Sequence, residues 1–429
     1  MHDNEGSKYY INLIFENTKF EHVLNTEQSI GGGAISISPS AILKNYNTHL
    51  TVINCIFDDV KSYGSGGAIY YDSTQYKINI YGCQFKNVNA NNGAHSIYAK
   101  NDIIEKTIVS NCIFTDCGSQ EASFSIQLNV NKFEFLYNKI IFTNPDKSCG
   151  CITTNKIMEH VYRGNLFQNA KNNRNYDTLG IQDKHYTISA ILTIENNTFD
   201  CFTSPCQGKC IYVEFMSDSG LTIKNNTFTN CKGSGFYIKV KFINKVDSFK
   251  ISTCKFIDNE VRTDWNNEFG HCPQFWIQNL EANSYTYKLT LSFEDCYFER
   301  NKNPTKGGAV NYGKNRYNSN TDIHFLRCEF IENSANEGGG ALSLITYQGC
   351  QIEKCIFKKN YAEQGNGVIY IETDFHDKIL PDSYPPDRNP DVIINSCTFI
   401  ENGENKANNV ITLANAPNAP ISIMNCVFT

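Results

Sequence analysis

The stretch "CEFIENSANEGGGALSL" at residues 328–344 is a phrase that the rest of the chain repeats. A Cys is followed two residues on by Phe and three further on by Asn, then by glycines and an apolar alternation. Its Phe aligns with that of "NCIF", "GCQF", "NNTF", "TCKF", "DCYF", "KCIF", "SCTF" and "NCVF". With weaker copies the anchors are Phe15, Phe57, Phe85, Phe114, Phe142, Phe167, Phe199, Phe228, Phe256, Phe298, Phe330, Phe357, Phe399 and Phe428. Most anchors lie near 28 residues apart, and three spacings of 42 read as one loop insertion each. A fixed period of this size marks a solenoid, in which each repeat buries its apolar face only against its neighbours.

Each repeat has the same internal grammar. In "LTIKNNTF", Leu221 and Ile223 alternate with Thr222 and Lys224, the period of a half-buried strand. The phase breaks at Asn225 and restarts with Asn226 and Phe228. Asn or Gly holds the break in several copies: Asn54, Gly82, Asn111, Gly164, Asn196 and Asn425. These residues enter the left-handed backbone region at least cost. A second apolar pair follows the glycines, as in Ile69/Tyr71 and Leu342/Leu344. Three short strands per repeat, with no helical period, predict an all-β parallel β-solenoid of about 14 rungs over residues 1–429. The corner chemistry suits the right-handed, pectate-lyase-like kind. A β-sandwich does not demand the same residue at the same place in every repeat.

Composition narrows the function. A net charge of −6 over 429 residues gives no basic footprint for nucleic acid. No apolar run is long enough for a membrane-spanning helix, and the polar start "MHDNEGSKYY" has no secretory pattern. The final "NCVFT" falls mid-rung, so the chain reads as a segment of a longer protein.

The glycine motifs add a resemblance. "GGGAISI" at 31–37, "GGAIYY" at 66–71, "GGAVNY" at 307–312 and "GGGALSL" at 338–344 resemble the Gly-Gly-Ala-(Ile/Val/Leu) motif of the polymorphic outer membrane protein family. That family's companion Phe-x-x-Asn recurs as Phe256–Asn259, Phe298–Asn301, Phe330–Asn333, Phe357–Asn360 and Phe399–Asn402, with copies one residue shorter such as Phe85–Asn87. The resemblance implies an extracellular right-handed β-helix used in adhesion or surface display, secreted or at the cell surface.

Cysteines fall into two sets. Nine sit two before the anchor Phe: Cys55, Cys83, Cys112, Cys254, Cys296, Cys328, Cys355, Cys397 and Cys426. Asn165, Asn197 and Asn226 take that place elsewhere. Residues in register stand about 4.8 Å apart with parallel Cβ vectors, which suits neither a disulfide nor a tetrahedral metal. A core column of free, stacked thiols is expected. The densest remaining cluster is "CFTSPCQGKC", where Cys201, Cys206 and Cys210, with Cys231 one rung later, could form disulfides; zinc is the alternative, although the spacing is not a standard zinc motif.

Catalytic signals are weak. "FDD" at 57–59 reads as turn chemistry, and "TDFHDK" at 373–378 as a solvated loop. No catalytic residue, metal or cofactor is expected. Binding signals are stronger in the insertion 262–276, where Trp265, Asn267, Glu268, His271 and Trp276 make a candidate ligand site. Trp276 is out of phase with Phe275 and Ile277 and should point outward. Two further insertions, 39–49 and 375–391, should leave one edge of the solenoid. The reading is a non-enzymatic surface module binding a glycan or protein partner. The alternatives are a polysaccharide lyase or glycoside hydrolase on the same fold, and a structural spacer.

Overall fold

The computed structural model describes residues 9–28, 31–38, 46–72, 77–103, 106–118, 124–144, 149–155, 158–170, 178–182, 190–201, 210–217, 221–231, 236–242, 246–260, 275–279, 288–312, 321–345, 349–372, 391–403, 409–414 and 420–429. Every strand pairing given for them is parallel, as a β-solenoid requires and a sandwich does not; the longer strands collect into three faces, and short two-residue strands form two three-stranded sheets, Leu24–Asn25 to Asn89–Ala90 and Lys302–Asn303 to Tyr361–Ala362. The chain divides into two compact units, Met1–Ile188 and Ser189–Thr429.

In the first unit each face has six strands among the described residues. The first face runs from Tyr9–Glu16 to Glu159–Arg163, the second from Lys19–Glu21 to Leu166–Gln168, and the third from Ile35–Ile37 to Leu179–Gln182. In the second unit the first face has eight strands, Ile191–Glu195 to Ile421–Met424. The second face also has eight, Thr198–Asp200 to Val427–Phe428. The third face is a three-stranded sheet, Ile211–Ser217, Phe236–Phe242 and Phe275–Asn279, and a four-stranded one from Val310–Tyr312 to Ile411–Ala414.

The anchor phenylalanines pair with one another in register and form columns of stacked rings. Phe330 lies between Phe298 at 4.8 Å and Phe357 at 4.7 Å, each at an interplanar angle of 4°. Two anchors need correction. Phe15 belongs to the first face, opposite Val52, and the ring stacked on Phe57 at 5.0 Å is Phe20. Phe142 lies beyond the column, whose member in that coil is Ile140, between Phe114 and Phe167. "NTKF" at 17–20 and "NKI" at 138–140 carry the pattern in these coils.

The second face is flanked by two left-handed corner columns. The first, between the first and second faces, includes the expected Asn54, Asn111, Asn196, Asn225 and Asn425 with φ of 51–57°. It also includes Asp295, a residue type that favours this region, and Tyr137, Thr253, Arg327, Lys354 and Ser396, which no sequence preference flags. Their strain, about 1 kcal/mol each, is offset by stacking of the corner peptides: the Arg327 N–H donates to Glu353 O at 3.0 Å. The second column lies two residues after the anchor and includes Asp59, Asn87, Asn230, Asp258, Arg300 and Glu332. Asn87 therefore belongs to this corner, whereas Asn333 is fully buried one place further on. The short and long copies of the motif are two different structural positions.

The glycine pairs have separate duties. Gly339 has φ of 62°, and a Cβ on Gly340 would lie 2.3 Å from Tyr361 O of the next coil. One glycine makes the bend and the next permits close backbone approach.

Burial also fixes a titratable group. His160 is fully buried in the first unit, edge-on to Phe133 at 5.9 Å. Its Nε2–H donates to Val130 O at 2.9 Å, and burial pushes its pKa down to about 4.

Two outcomes follow from this packing. Phe330→Ala empties one place in a continuous ring column and should cost about 3–5 kcal/mol in urea unfolding; the half-exposed Ile356→Ala should cost far less. For His160, the unfolded chain takes up a proton near pH 6.5 and the folded chain only near 4. The unfolded state thus binds more protons between these values, so stability falls as pH drops from 6.5 toward 4, by about 3 kcal/mol in all. His160→Gln, which keeps a donor for Val130, should flatten that part of the pH dependence of the urea midpoint.

Candidate functional site

The nine-cysteine column is present as free thiols, eight buried and Cys426 partly exposed. Their role is more specific than filling space. Where Asn holds the place, its amide joins two coils: Asn138 N–H donates to Asn165 Oδ1 at 2.8 Å, and Asn165 Nδ2 donates to Phe135 O at 2.8 Å. Cys makes the same two contacts more weakly. Cys328 N–H reaches Cys355 Sγ at 3.4 Å, and Cys355 Sγ reaches Phe325 O at 3.6 Å. The Phe-x-x-Asn column repeats this device: Asn301 N–H donates to Asn333 Oδ1 at 3.0 Å, and Asn333 Nδ2 to Phe298 O at 3.0 Å. Cys117 holds the same place in the first unit, its Sγ 3.3 Å from Phe85 O. Cys350 is inward and buried, between Ile323 and Val392 in register.

Cys201, Cys210 and Cys231 come together within the second unit, with no disulfide joining them. Cys231 Sγ lies 2.9 Å from Cys210 Sγ and 3.9 Å from Cys201 Sγ, and all three sulfurs fall within 4.8 Å of one another. Each residue is 2% exposed. The neighbouring sulfurs, with burial, push the Cys231 thiol well above its ordinary range. Cys206 lies outside the described residues.

Trp265, Asn267, Glu268 and His271 also lie outside the described residues, as does "TDFHDK". Trp276 is placed by backbone register. It sits in the strand Phe275–Asn279 opposite Tyr237, which is itself opposite Tyr212. The insertion expected at 262–276 therefore ends in regular strand, because Phe275 and Ile277 continue the Phe236/Ile238 column. Likewise Tyr46–Ile53 takes up the end of the 39–49 insertion.

Sequence reasoning missed that this aromatic column recurs. "IYYD" at 69–72, "IYVE" at 211–214 and "IYIE" at 369–372 share Ile-Tyr-x-acid on the third face. The Ile points into the core and the Tyr lies on the opposite side of the strand. Each phenol donates to the carboxylate two residues on: Tyr70 to Asp72 at 3.1 Å, Tyr212 to Glu214, and Tyr370 to Glu372 at 3.3 Å. Tyr70 stacks on Tyr98 at 5.8 Å, and Lys306 Nζ lies 4.6 Å from the Tyr370 ring centre. Burial, reinforced by Asp72, pushes the Tyr70 phenol up to about 12. Tyr98 and Tyr370 are half-buried, whereas Tyr70 and Tyr212 are each 8% exposed.

Acidic groups at the corners are matched to cations of the adjacent coil. Arg300 clamps Asp258 at 2.7 and 2.8 Å, and Arg327 clamps Asp295 at 2.7 and 2.9 Å. Asp59 of "FDD" is a left-handed corner residue 3.0 Å from both His22 and Lys61, and these partners hold its carboxyl below the usual range. Among the described residues the thiol trio is the one group of three or more His, Cys, Asp or Glu side chains close enough to share an ion.

A family model described as a right handed beta helix region matches residues 40–241. It agrees with the parallel coils and gives them their hand. No curated protein and no solved structure matches the chain.

The burial pattern predicts an order of thiol modification. In the native chain Cys426 should react with a maleimide first among the described cysteines, and the fifteen buried ones should react only on unfolding. Peptide mapping after brief labelling reads this directly.

Proposed function

We propose that the chain is a non-catalytic β-helical module, secreted or displayed on a cell surface, that binds a glycan or a protein partner on its third face. The observation that carries this reading is the aromatic position held in register by Tyr212, Tyr237 and Trp276, beside the Tyr212–Glu214 pair. Aromatic side chains give a sugar ring or an interface side chain apolar area to pack on; of the three, Tyr212 is 8% exposed and supports the position while its phenol donates to Glu214. Strand spacing repeats the position about every 4.8 Å, which suits an extended ligand. Trp265, Asn267, Glu268 and His271 precede this strand in sequence and lie outside the described residues.

The resemblance of the Gly-Gly-Ala and Phe-x-x-Asn motifs to polymorphic outer membrane proteins supports the adhesin-type, surface assignment. Polysaccharide cleavage calls for two carboxylates facing one bond, or an acidic calcium cluster with a basic proton abstractor. Asp258 and Asp295 face arginines instead, which favours binding over cleavage.

The test is retention of the chain on immobilised host glycoproteins and on neutral and acidic polysaccharides, scored together with product release. Retention without turnover, reduced at least about tenfold by Trp276→Ala as expected for a hot-spot aromatic, is the expected result. Release of unsaturated or reducing ends would overturn it in favour of a lyase or hydrolase. Absence of both signals would leave the spacer reading.

A further inference from the structure

The three converging thiols differ in kind from the column thiols. In a column, consecutive sulfurs follow the strand spacing of about 4.8 Å in a line, so no three can meet one ion. Cys201, Cys210 and Cys231 come from three separate places in consecutive coils. Cys201 follows the strand Thr198–Asp200, Cys210 precedes Ile211–Ser217, and Cys231 lies in the next coil, after Thr227–Thr229. Cys231 holds the place that Asn259, Asn301 and Asn333 hold in the coils that follow. Its N–H is taken by Asn259 Oδ1 at 2.9 Å, in the same way as Asn259 N–H is taken by Asn301. An Asn there would serve the backbone better, yet the chain puts a third sulfur beside two others.

We propose that Cys201, Cys210 and Cys231 form a thiolate site for one soft, thiophilic d¹⁰ cation, copper(I) or zinc(II). A metal about 2.3 Å from each sulfur holds sulfurs roughly 3.8–4.0 Å apart at tetrahedral or trigonal angles. The Cys201–Cys231 separation of 3.9 Å matches this, the Cys210–Cys231 pair at 2.9 Å would have to open by about 1 Å on ligation, and all three sulfurs lie within 4.8 Å. Soft thiolates select these ions over calcium or magnesium. On ligation three S–H bonds break, three metal–sulfur bonds form and three protons leave to solvent, with no change of oxidation state. Affinity should therefore fall as pH falls. Three thiolates satisfy trigonal copper(I), whereas zinc(II) requires a further donor.

The test uses the full chain, reduced and handled without oxygen. It is equilibrated with copper(I) alone or zinc(II) alone, desalted, and measured for bound metal by elemental analysis and native mass spectrometry. One ion per chain should be retained in at least one arm, and the arm identifies the ion. Cys231→Asn should cut retention at least tenfold. Because Asn is the residue adjoining coils carry there, this variant should keep the native circular dichroism and melting profile, so metal loss is separated from misfolding. Cys355→Asn, in the thiol column, should retain the ion. Failure of the reduced chain to hold either ion, or retention by Cys231→Asn equal to the parent, would overturn the proposal. A Cys210–Cys231 disulfide in chain purified without reductant, in place of bound metal, would overturn it in favour of a covalent staple.

Discussion

The structure rests on like residues standing on like residues, one coil apart. Parallel strands in register place Phe330 over Phe298 and under Phe357, and Asn333 between Asn301 and Asn360. Once the register is set, every inward place becomes a column and each column selects its own residue. A slip by one residue would send Ile352 and Phe357 outward and bring Gln351 and Ile356 inward. The repeat is thus a consequence of register.

Corners are where this arrangement is most demanding, because there the backbone leaves the strand geometry. Two devices hold them. Left-handed residues keep the bond between coils through the bend, as with the Arg327 amide on Glu353. A buried Asn or Cys one step on accepts from an amide of the preceding coil and donates to a carbonyl of that same coil. Asn and Cys exchange at these places because both are small and both can bridge, though a thiol does so at 3.4–3.6 Å where an amide does so at 2.8 Å. The abundance of cysteine then has a structural origin, and the thiol trio, with its sulfur–sulfur contacts, departs from it.

Much of this was legible in the sequence. The period gave the solenoid, the phase break gave Asn225 as a corner, and the place two before Phe gave the thiol column. What was not legible shares a physical cause. Arg327 and Lys354 occupy left-handed corners because stacking across coils outweighs single-residue preference, and no local rule reports that. Phe15 displaced Phe20 as anchor because both are buried-type residues five apart, on adjoining faces. The Tyr-x-acid pairs were written plainly in "IYYD", "IYVE" and "IYIE", but their meaning depends on which side of the strand each residue takes. Convergence of Cys201 with Cys231, 30 residues away, is a property of coil stacking that spacing alone does not carry.

The central claim is that the column cysteines act as hydrogen-bonding bridges between coils and are not merely small apolar filler. The most direct measurement is the unfolding free energy of Cys355→Asn beside Cys355→Ala. Asn, which restores an amide bridge from the Cys328 N–H to Phe325 O, should stay within about 1 kcal/mol of the parent. Ala removes the acceptor of the buried Cys328 N–H and should lose about 1–3 kcal/mol. Ala as stable as the parent, or Asn less stable than Ala, would contradict it.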